Sequence, residues 1–411
     1  MTTHDFLPIE IFLLIAESSD LHTLCSFVRA FPHVAEALTS PHFSIHDEFQ
    51  NSIVHLLAAD GEHELFLQVL KCRSALPDRK NKDGHTPMSL AVTNGHLPVV
   101  QALVNRNDVD TSLTDSMNRT LLHMASLSGH ESVLDVVMHW PAVYINQKDK
   151  HGQTAFSLAA EYGQERAVVM MIKEADLYAR DVWGRVALHV AALNGHQKIV
   201  KILLSKPDVD ANILDDRRWT PLSYAAGNGH APVIEALLRE NDVDIYWRGI
   251  EHQDPLSLAA ENGNPVAVDL LLRRMQQDLT ASKGPTHQLS SQLNFRDLWG
   301  RTPVSIAAEY GHEAVVTLLV ALPDVDINVG DYGQEGPLTK AARNGHESIV
   351  QLLLDRPDID ICSSNVRRQT PLDLAVLAGH TNIVMVLQRH SLIAAPDLAG
   401  VSLSPRCDIH N

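Results

Sequence analysis

Aromatic residues make up only 5% of this 411-residue chain, there are four cysteines, and positive charge is in deficit, with 33 Lys and Arg against 50 Asp and Glu. Each shortage excludes something. A net charge of −17 leaves no basic footprint for nucleic-acid phosphates or for an anionic membrane surface. Cys25, Cys72, Cys362 and Cys407 lie far apart with no paired spacing, as buried or incidental thiols in a reducing compartment would. There is no apolar run long enough to span a bilayer, no signal peptide and no lipidation motif, so a cytoplasmic or nuclear location is expected. The phosphate-binding, dinucleotide, metalloprotease and nucleophile-elbow motifs are missing too, so neither catalysis nor a cofactor is expected.

What the chain has in abundance is one stretch. Residues 297–312 read DLWGRTPVSIAAEYGH, and the Gly near its end recurs at Gly61, Gly95, Gly129, Gly163, Gly195, Gly229, Gly263, Gly311, Gly345 and Gly379. The successive spacings are 34, 34, 34, 32, 34, 34, 48, 34 and 34 residues. Self-similarity at that period predicts ten copies of one supersecondary unit.

Each piece of the unit has a physical reading. Asp and Gly framing two variable residues favour a tight turn. Thr302-Pro303 is a helix N-cap followed by an N1 proline, repeated at Thr86-Pro87, Thr220-Pro221 and Thr370-Pro371. Ala307-Ala308 allows a first helix to approach its neighbour closely, and Gly311 can take the left-handed conformation that ends it. Val315, Val316, Leu318 and Leu319 give a second helix an apolar stripe. One such unit cannot bury that stripe alone, so stacking must supply the core.

Asp-x-x-Gly-x-Thr-Pro-Leu-x-x-Ala-Ala-x-x-Gly-His followed by an apolar helix resembles the ankyrin repeat, over roughly residues 50–392. The resemblance implies an all-α solenoid with short β-turn fingers that binds other proteins on its concave face. With helices packed about 8–10 Å apart, ten repeats would run roughly 100 Å. Repeats 1–7 would occupy residues 50–275 and repeats 8–10 residues 293–392. Between them the 48-residue spacing marks an insertion, QQDLTASKGPTHQLSSQ at 276–292, whose polar Gly/Pro/Ser content predicts a flexible loop, either functional or merely tolerated. Residues 393–411 are expected to be a disordered tail.

Residues 1–45 stand outside the repeat. Leu7-Pro8 opens a helix through Ile11, Leu14 and Ile15, Asp20 caps a second carrying Leu21, Leu24, Phe27 and Val28, and a third, short helix is expected to hold Val34 and Leu38. The Leu-Pro-x-Glu-Ile opening, the later Asp-Leu-x-x-Leu and Arg29 resemble the F-box. That resemblance implies docking onto the Skp-type adaptor of a cullin-RING ubiquitin ligase through Leu7, Pro8, Ile11, Ile15, Leu21 and Leu24. Ser18-Ser19 and Phe27–Phe31 depart from the family pattern. The other reading is a helical cap over the first repeat, needed because an end repeat would expose an apolar face.

Many of the 23 histidines follow the repeat Gly or occupy a Leu-His slot (His123, His189), so their spacing implies structural hydrogen bonding rather than a metal sphere. The Asp-Val-Asp motifs at 208–210, 242–244 and 324–326 are too far apart for a calcium loop and read as solvated acids. Asn118-Arg-Thr120 fits a glycosylation sequon, but Thr120 sits on a capping position.

The scarce aromatics gather at the variable positions: Trp183, Trp219, Trp299 and Tyr332 on fingers, Tyr162 and Tyr310 on first helices, with Arg185, Arg301 and Arg343 beside them. Trp, Tyr and Arg carry binding energy at interfaces, so these nine residues form the candidate surface for a protein client. The alternative is that some rings fill gaps between fingers. The expected molecule is a monomeric substrate receptor with two partners, adaptor and client; the rival is a scaffold or inhibitor without a link to ubiquitin.

Overall fold

The computed structural model describes residues 9–140, 143–281 and 287–394; helices dominate it, and among these residues there is no strand. The chain forms two units, meeting at Val190 and Ala191. The first holds α1 (Ile9–Glu17), α2 (Leu21–Ala30), a 3-10 turn at Pro32–Ala37 and α3 (Ser40–Phe43). Helix pairs follow: α4 (Ile53–Asp60) with α5 (His63–Val69), α6 (Pro87–Thr93) with α7 (Leu97–Val104), α8 (Leu121–Ser128) with α9 (Glu131–Met138), and α10 (Ala155–Glu161) with α11 (Glu165–Met171). The chain passes into the second unit within α12 (Ala187–Leu193), which precedes α13 (Gln197–Leu204). That unit continues with α14 (Pro221–Gly227) and α15 (Ala231–Leu237), α16 (Pro255–Glu261) and α17 (Pro265–Ala281), then α18 (His287–Leu293). It ends with α19 (Pro303–Tyr310) and α20 (Glu313–Val320), α21 (Pro337–Asn344) and α22 (Glu347–Leu354), and α23 (Pro371–Ala378) and α24 (Thr381–Ala394).

The first helices start where the Thr residues dictate. The side chains of Thr86, Thr120, Thr154, Thr220, Thr302 and Thr370 each accept a hydrogen bond from the N–H three residues on, a cap of about 1 kcal/mol each. Asp254 fills that role for α16. Ala307, Ala308, Val315, Val316 and Leu319 are fully buried, and their counterparts repeat this along both units.

Neighbouring pairs are held in register by a Gly and a His. Gly311 has φ +80, and a Cβ there would lie 2.6 Å from the His346 ring. His346 Nε2 donates to the Glu309 carbonyl at 3.1 Å; a carbonyl can only accept, so Nε2 carries the proton. His312 and His380 bond Glu261 and Arg343 in the same way, as does His96 with Ala59 in the first unit, while Gln164 and Asn264 substitute for His with their side-chain amides.

The insertion differs from the expected loop. Helix α17 runs on to Ala281 and α18 occupies His287–Leu293, so most of 276–292 is helical and 282–286 lie outside the described residues. Periodicity explains the correction: Met275 and Leu293 are buried, and Arg274 joins Asp278 at 2.8 Å along the helix. Gly284 and Pro285 punctuate the segment; they do not empty it of helix. The expected disordered tail at 393–411 lies outside the described residues beyond Ala394.

Within the first unit, α2 and the 3-10 turn pack on α4 and α5. Arg29 pairs with both Asp60 and Glu62, and Lys71 reaches Glu36 at 2.6 Å.

Candidate functional site

Between helix pairs the chain makes a finger whose first residue organises its own turn. Asp297 Oδ1 accepts from the N–H of Trp299 at 3.0 Å and of Arg301 at 2.8 Å. Asp115, Asp149, Asp181 and Asp331 do likewise, and Asn81 and Asn365 use their side-chain oxygens. The fourth finger residue is left-handed throughout, although Asn118, Arg218, His252, Gln334 and Arg368 are not glycine. Adjacent fingers are joined by a backbone bond, such as Val182 N to His151 O at 2.9 Å in the first unit and Tyr332 N to Trp299 O at 3.3 Å in the second. The tips therefore stand side by side within each unit.

In the first unit, Trp183 is exposed at a tip, stacked at 6.2 Å on His151 of the preceding finger. The Arg185 guanidinium lies 4.4 Å from its ring centroid and bonds Asp181 at 2.7 Å. Tyr162 is exposed at the end of α10.

In the second unit, the sequence-predicted residues divide. Trp299, Tyr310 and Tyr332 are exposed. Arg301 is not a free donor: it is buried, bonds Asp297 at 2.8 Å, and lies 3.6 Å from Glu309 and 4.0 Å from Glu261. Burial is the largest influence and opposes its charge, but the bond to Asp297, the Asp297 and Glu261 charges and a bond to Tyr310 together outweigh it and raise its pKa. Arg343 pairs with Glu335 and Glu309. Lys340, also buried, joins the same network through Glu309 at 2.7 Å and Asp331 at 2.9 Å. Burial raises the Asp331 pKa, while the Lys340 bond, with the Glu335 and Gly333 N–H groups, brings it below the usual range. These cations form an ion-paired floor beneath the exposed rings.

Trp219 is placed differently from Trp183 and Trp299. It is the fifth residue of its finger, the position Arg301 holds in another, and it is half-buried, packed edge-on against Tyr224 at 5.1 Å. A Cβ at Gly249 of the next finger would lie 2.6 Å from its ring. Trp219 is thus the ring that fills the gap between fingers.

Of the six adaptor candidates, Leu7 and Pro8 lie outside the described residues, Ile11 and Ile15 are exposed on α1 beside exposed Ile9 and Leu14, and Leu21 and Leu24 are buried in the core. Three of the repeat-loop acids named above likewise have structural partners: Asp210, Asp244 and Asp326 each accept from the N–H two residues on. Of the cysteines, Cys25 is buried and its thiol is pushed up to about 12 by that burial, whereas Cys362 is exposed and Cys72 intermediate.

A search restricted to aromatics missed aliphatic tip residues. Val182 in the first unit, and Ile250, Leu298 and Val366 in the second, are exposed immediately after the first finger residue. The recurrence of an apolar residue at that place was available in the sequence. Among the described residues, no group of three or more His, Cys, Asp or Glu could hold a metal ion, and no helix is long and apolar enough to cross a membrane.

Human B-cell lymphoma 3 protein is 34% identical over 146 residues, 33% of this chain and 32% of that protein. Human Rabankyrin-5 is 28% identical over 148 residues, 35% of this chain and 13% of that protein. A protein of Oryza sativa subsp. japonica named probable E3 ubiquitin-protein ligase XBOS32 is 31% identical over 172 residues, 40% of this chain and 32% of that protein. The chain spans a third or less of each. The family model described as ankyrin repeats (3 copies) matches residues 54–149, 142–215, 207–283, 248–331, 280–365 and 324–397. With the family's helix pairs and fingers recurring among the described residues of that span, the chain belongs to the ankyrin-repeat family.

Proposed function

We propose that this chain is a non-catalytic substrate-recruiting subunit of a cullin-RING ubiquitin ligase, with an N-terminal F-box-like module and ten ankyrin repeats that hold a protein client. The observation that carries this reading is the outer face of α1, where Ile11, Leu14 and Ile15 remain exposed while the helices behind it are packed on the first repeat. Capping the stack accounts for α2 and the 3-10 turn; it does not account for the exposed aliphatics on α1. The ubiquitin-ligase name of the rice relative supports the same reading, as a name borne by that protein. Such a receptor acts as a monomer in cytoplasm or nucleus and needs no cofactor.

A second reading, a scaffold or inhibitor without a ubiquitin link, is favoured by the burial of Leu21 and Leu24 and by the pairing of Arg29 with Asp60 and Glu62, which make α2 a cap. The test is a pull-down of a recombinant Skp-type adaptor by the full chain. Binding that is lost in Leu14→Asp/Ile15→Asp, with helical content by circular dichroism unchanged, supports the receptor. If the unmodified chain captures no adaptor, the scaffold reading replaces it.

A further inference from the structure

We propose that the finger tips of the second unit form a docking ridge for an acidic polypeptide segment with regularly spaced apolar side chains. Ile250, Leu298, Tyr332 and Val366 each follow the first residue of successive fingers, and they are 54%, 49%, 71% and 62% exposed. The N–H of each one donates to the preceding finger, to the carbonyls of Arg217, Glu251, Trp299 and Gly333 in turn. Four neighbouring fingers thus align four apolar side chains in one row, with Trp299 beside it. Nothing in the core requires this, since the helices below bury their own apolar residues.

Charge identifies the occupant. The row is flanked by exposed Arg217 and Arg218 on the finger before Ile250 and by exposed Arg367 and Arg368 on the finger of Val366. None of these four has a carboxylate partner among the described residues, in contrast to Arg301, Arg343, Arg274 and Arg356. Arg296 adds a fifth cation, 5.7 Å from the Tyr332 ring centroid and bonded to the Gly300 carbonyl. Against them at the tips stand the carboxylates of Asp216 and Glu251. A basic row of tips in a chain of net charge −17 fits an anion that also has apolar groups, which a polypeptide supplies and a sugar–phosphate backbone does not.

Spacing sets the pattern. Stacked repeats are about 10 Å apart, and a chain in the polyproline II conformation turns once in three residues while advancing about 3.1 Å per residue, so apolar side chains at every third residue would share one face and meet successive tips. A segment of about 15 residues reaches both Arg pairs by the same estimate. This rests on the reading that the repeats hold a protein client, and it is independent of the adaptor.

The probe is a fluorescein-labelled peptide of about 15 residues with Leu at every third position and Asp-Glu between, titrated with the full chain and followed by anisotropy. A matched peptide with Lys-Lys between the leucines and a labelled single-stranded RNA are run beside it. The acidic peptide should bind, weaken with added salt, and lose about tenfold or more in affinity with Arg367→Glu/Arg368→Glu and again with Ile250→Ser/Val366→Ser. All four positions are exposed, so circular dichroism should not change. No binding of the acidic peptide, equal binding of the Lys peptide, indifference to the Arg variants, or binding of RNA in its place would each overturn the ridge. Adaptor capture measured on the same variants should stay intact, so failure of the ridge and failure of the ligase reading are told apart.

Discussion

Two fingers of the second unit, beginning at Asp215 and Asp297, solve one problem in different ways. In both, Oδ1 of the Asp closes the turn by accepting from the N–H four residues on, at 2.7 and 2.8 Å. The other carboxylate oxygen then needs a donor in a buried place. Asp297 obtains it from Arg301 Nε at 2.8 Å, whereas Trp219 occupies the Arg position of the first finger and the Tyr224 hydroxyl supplies the proton at 2.6 Å. The first solution draws Glu261, Glu309, Lys340 and Arg343 into a chain of ion pairs; the second puts two rings packed edge to face there instead. An aromatic in a finger is therefore a packing element or a surface element according to its place in the turn, and its residue type alone does not decide.

The largest effect should come from the charged finger. Arg301→Ala leaves Asp297 without its counter-charge in a buried place, while Glu309 keeps Lys340 at 2.7 Å, and should cost about 3 kcal/mol in urea unfolding of the full chain. A loss below about 1 kcal/mol would mean that water replaces the guanidinium and that the floor is not held by ion pairs. Trp219→Ala should follow, at about 2 kcal/mol, since it empties a half-buried ring volume between Tyr224 and Gly249. If melting is unchanged and peptide capture falls instead, the ring belongs to the surface and the comparison fails.

Much of this was legible. The Thr N-caps, the left-handed Gly, the His after it and the paired Ala residues each have a local cause and act within a residue or two of where they stand, so period and chemistry fix them together. The place of Trp219 was less visible because Arg218 holds the left-handed position usually given to Gly, which hides the turn's frame. Asp297 stands four residues before Arg301 and Glu335 eight before Arg343, but the further carboxylates that tie both into a network, Glu261 and Glu309, come from neighbouring repeats at separations no local pattern shows. The insertion is largely helical because its flanks, 276–281 and 287–292, continue a helical pattern that its polar Gly/Pro/Ser content hides. Leu21 and Leu24 fit a helical stripe, but a stripe does not say whether it faces the first repeat or a partner.

Tyr224→Phe isolates the hydroxyl of the uncharged solution. It leaves both rings in place and strips one hydrogen bond from a buried carboxylate, so it should cost about 1–2 kcal/mol. The loss should exceed that of the same change at an exposed tyrosine such as Tyr332. Equality of the two would place a water on Asp215 and weaken the parallel with Arg301.

The smallest effect on folding should be Trp299→Ala. Its ring is exposed, rests 4.7 Å from the Arg301 guanidinium, and closes no gap between fingers. Removing it gives up a cation–π contact at the surface, about 0.5 kcal/mol, so the unfolding midpoint should barely move. Capture of the acidic peptide should nonetheless weaken by about 2 kcal/mol if the ring is an anchor beside the row of tips. Trp219→Ala should show the reverse, stability lost and capture kept. A Trp299 variant that melts as early as the Trp219 variant would erase the distinction drawn between the two fingers, and one that loses neither stability nor capture would remove Trp299 from the binding surface while leaving the packing role of Trp219 intact.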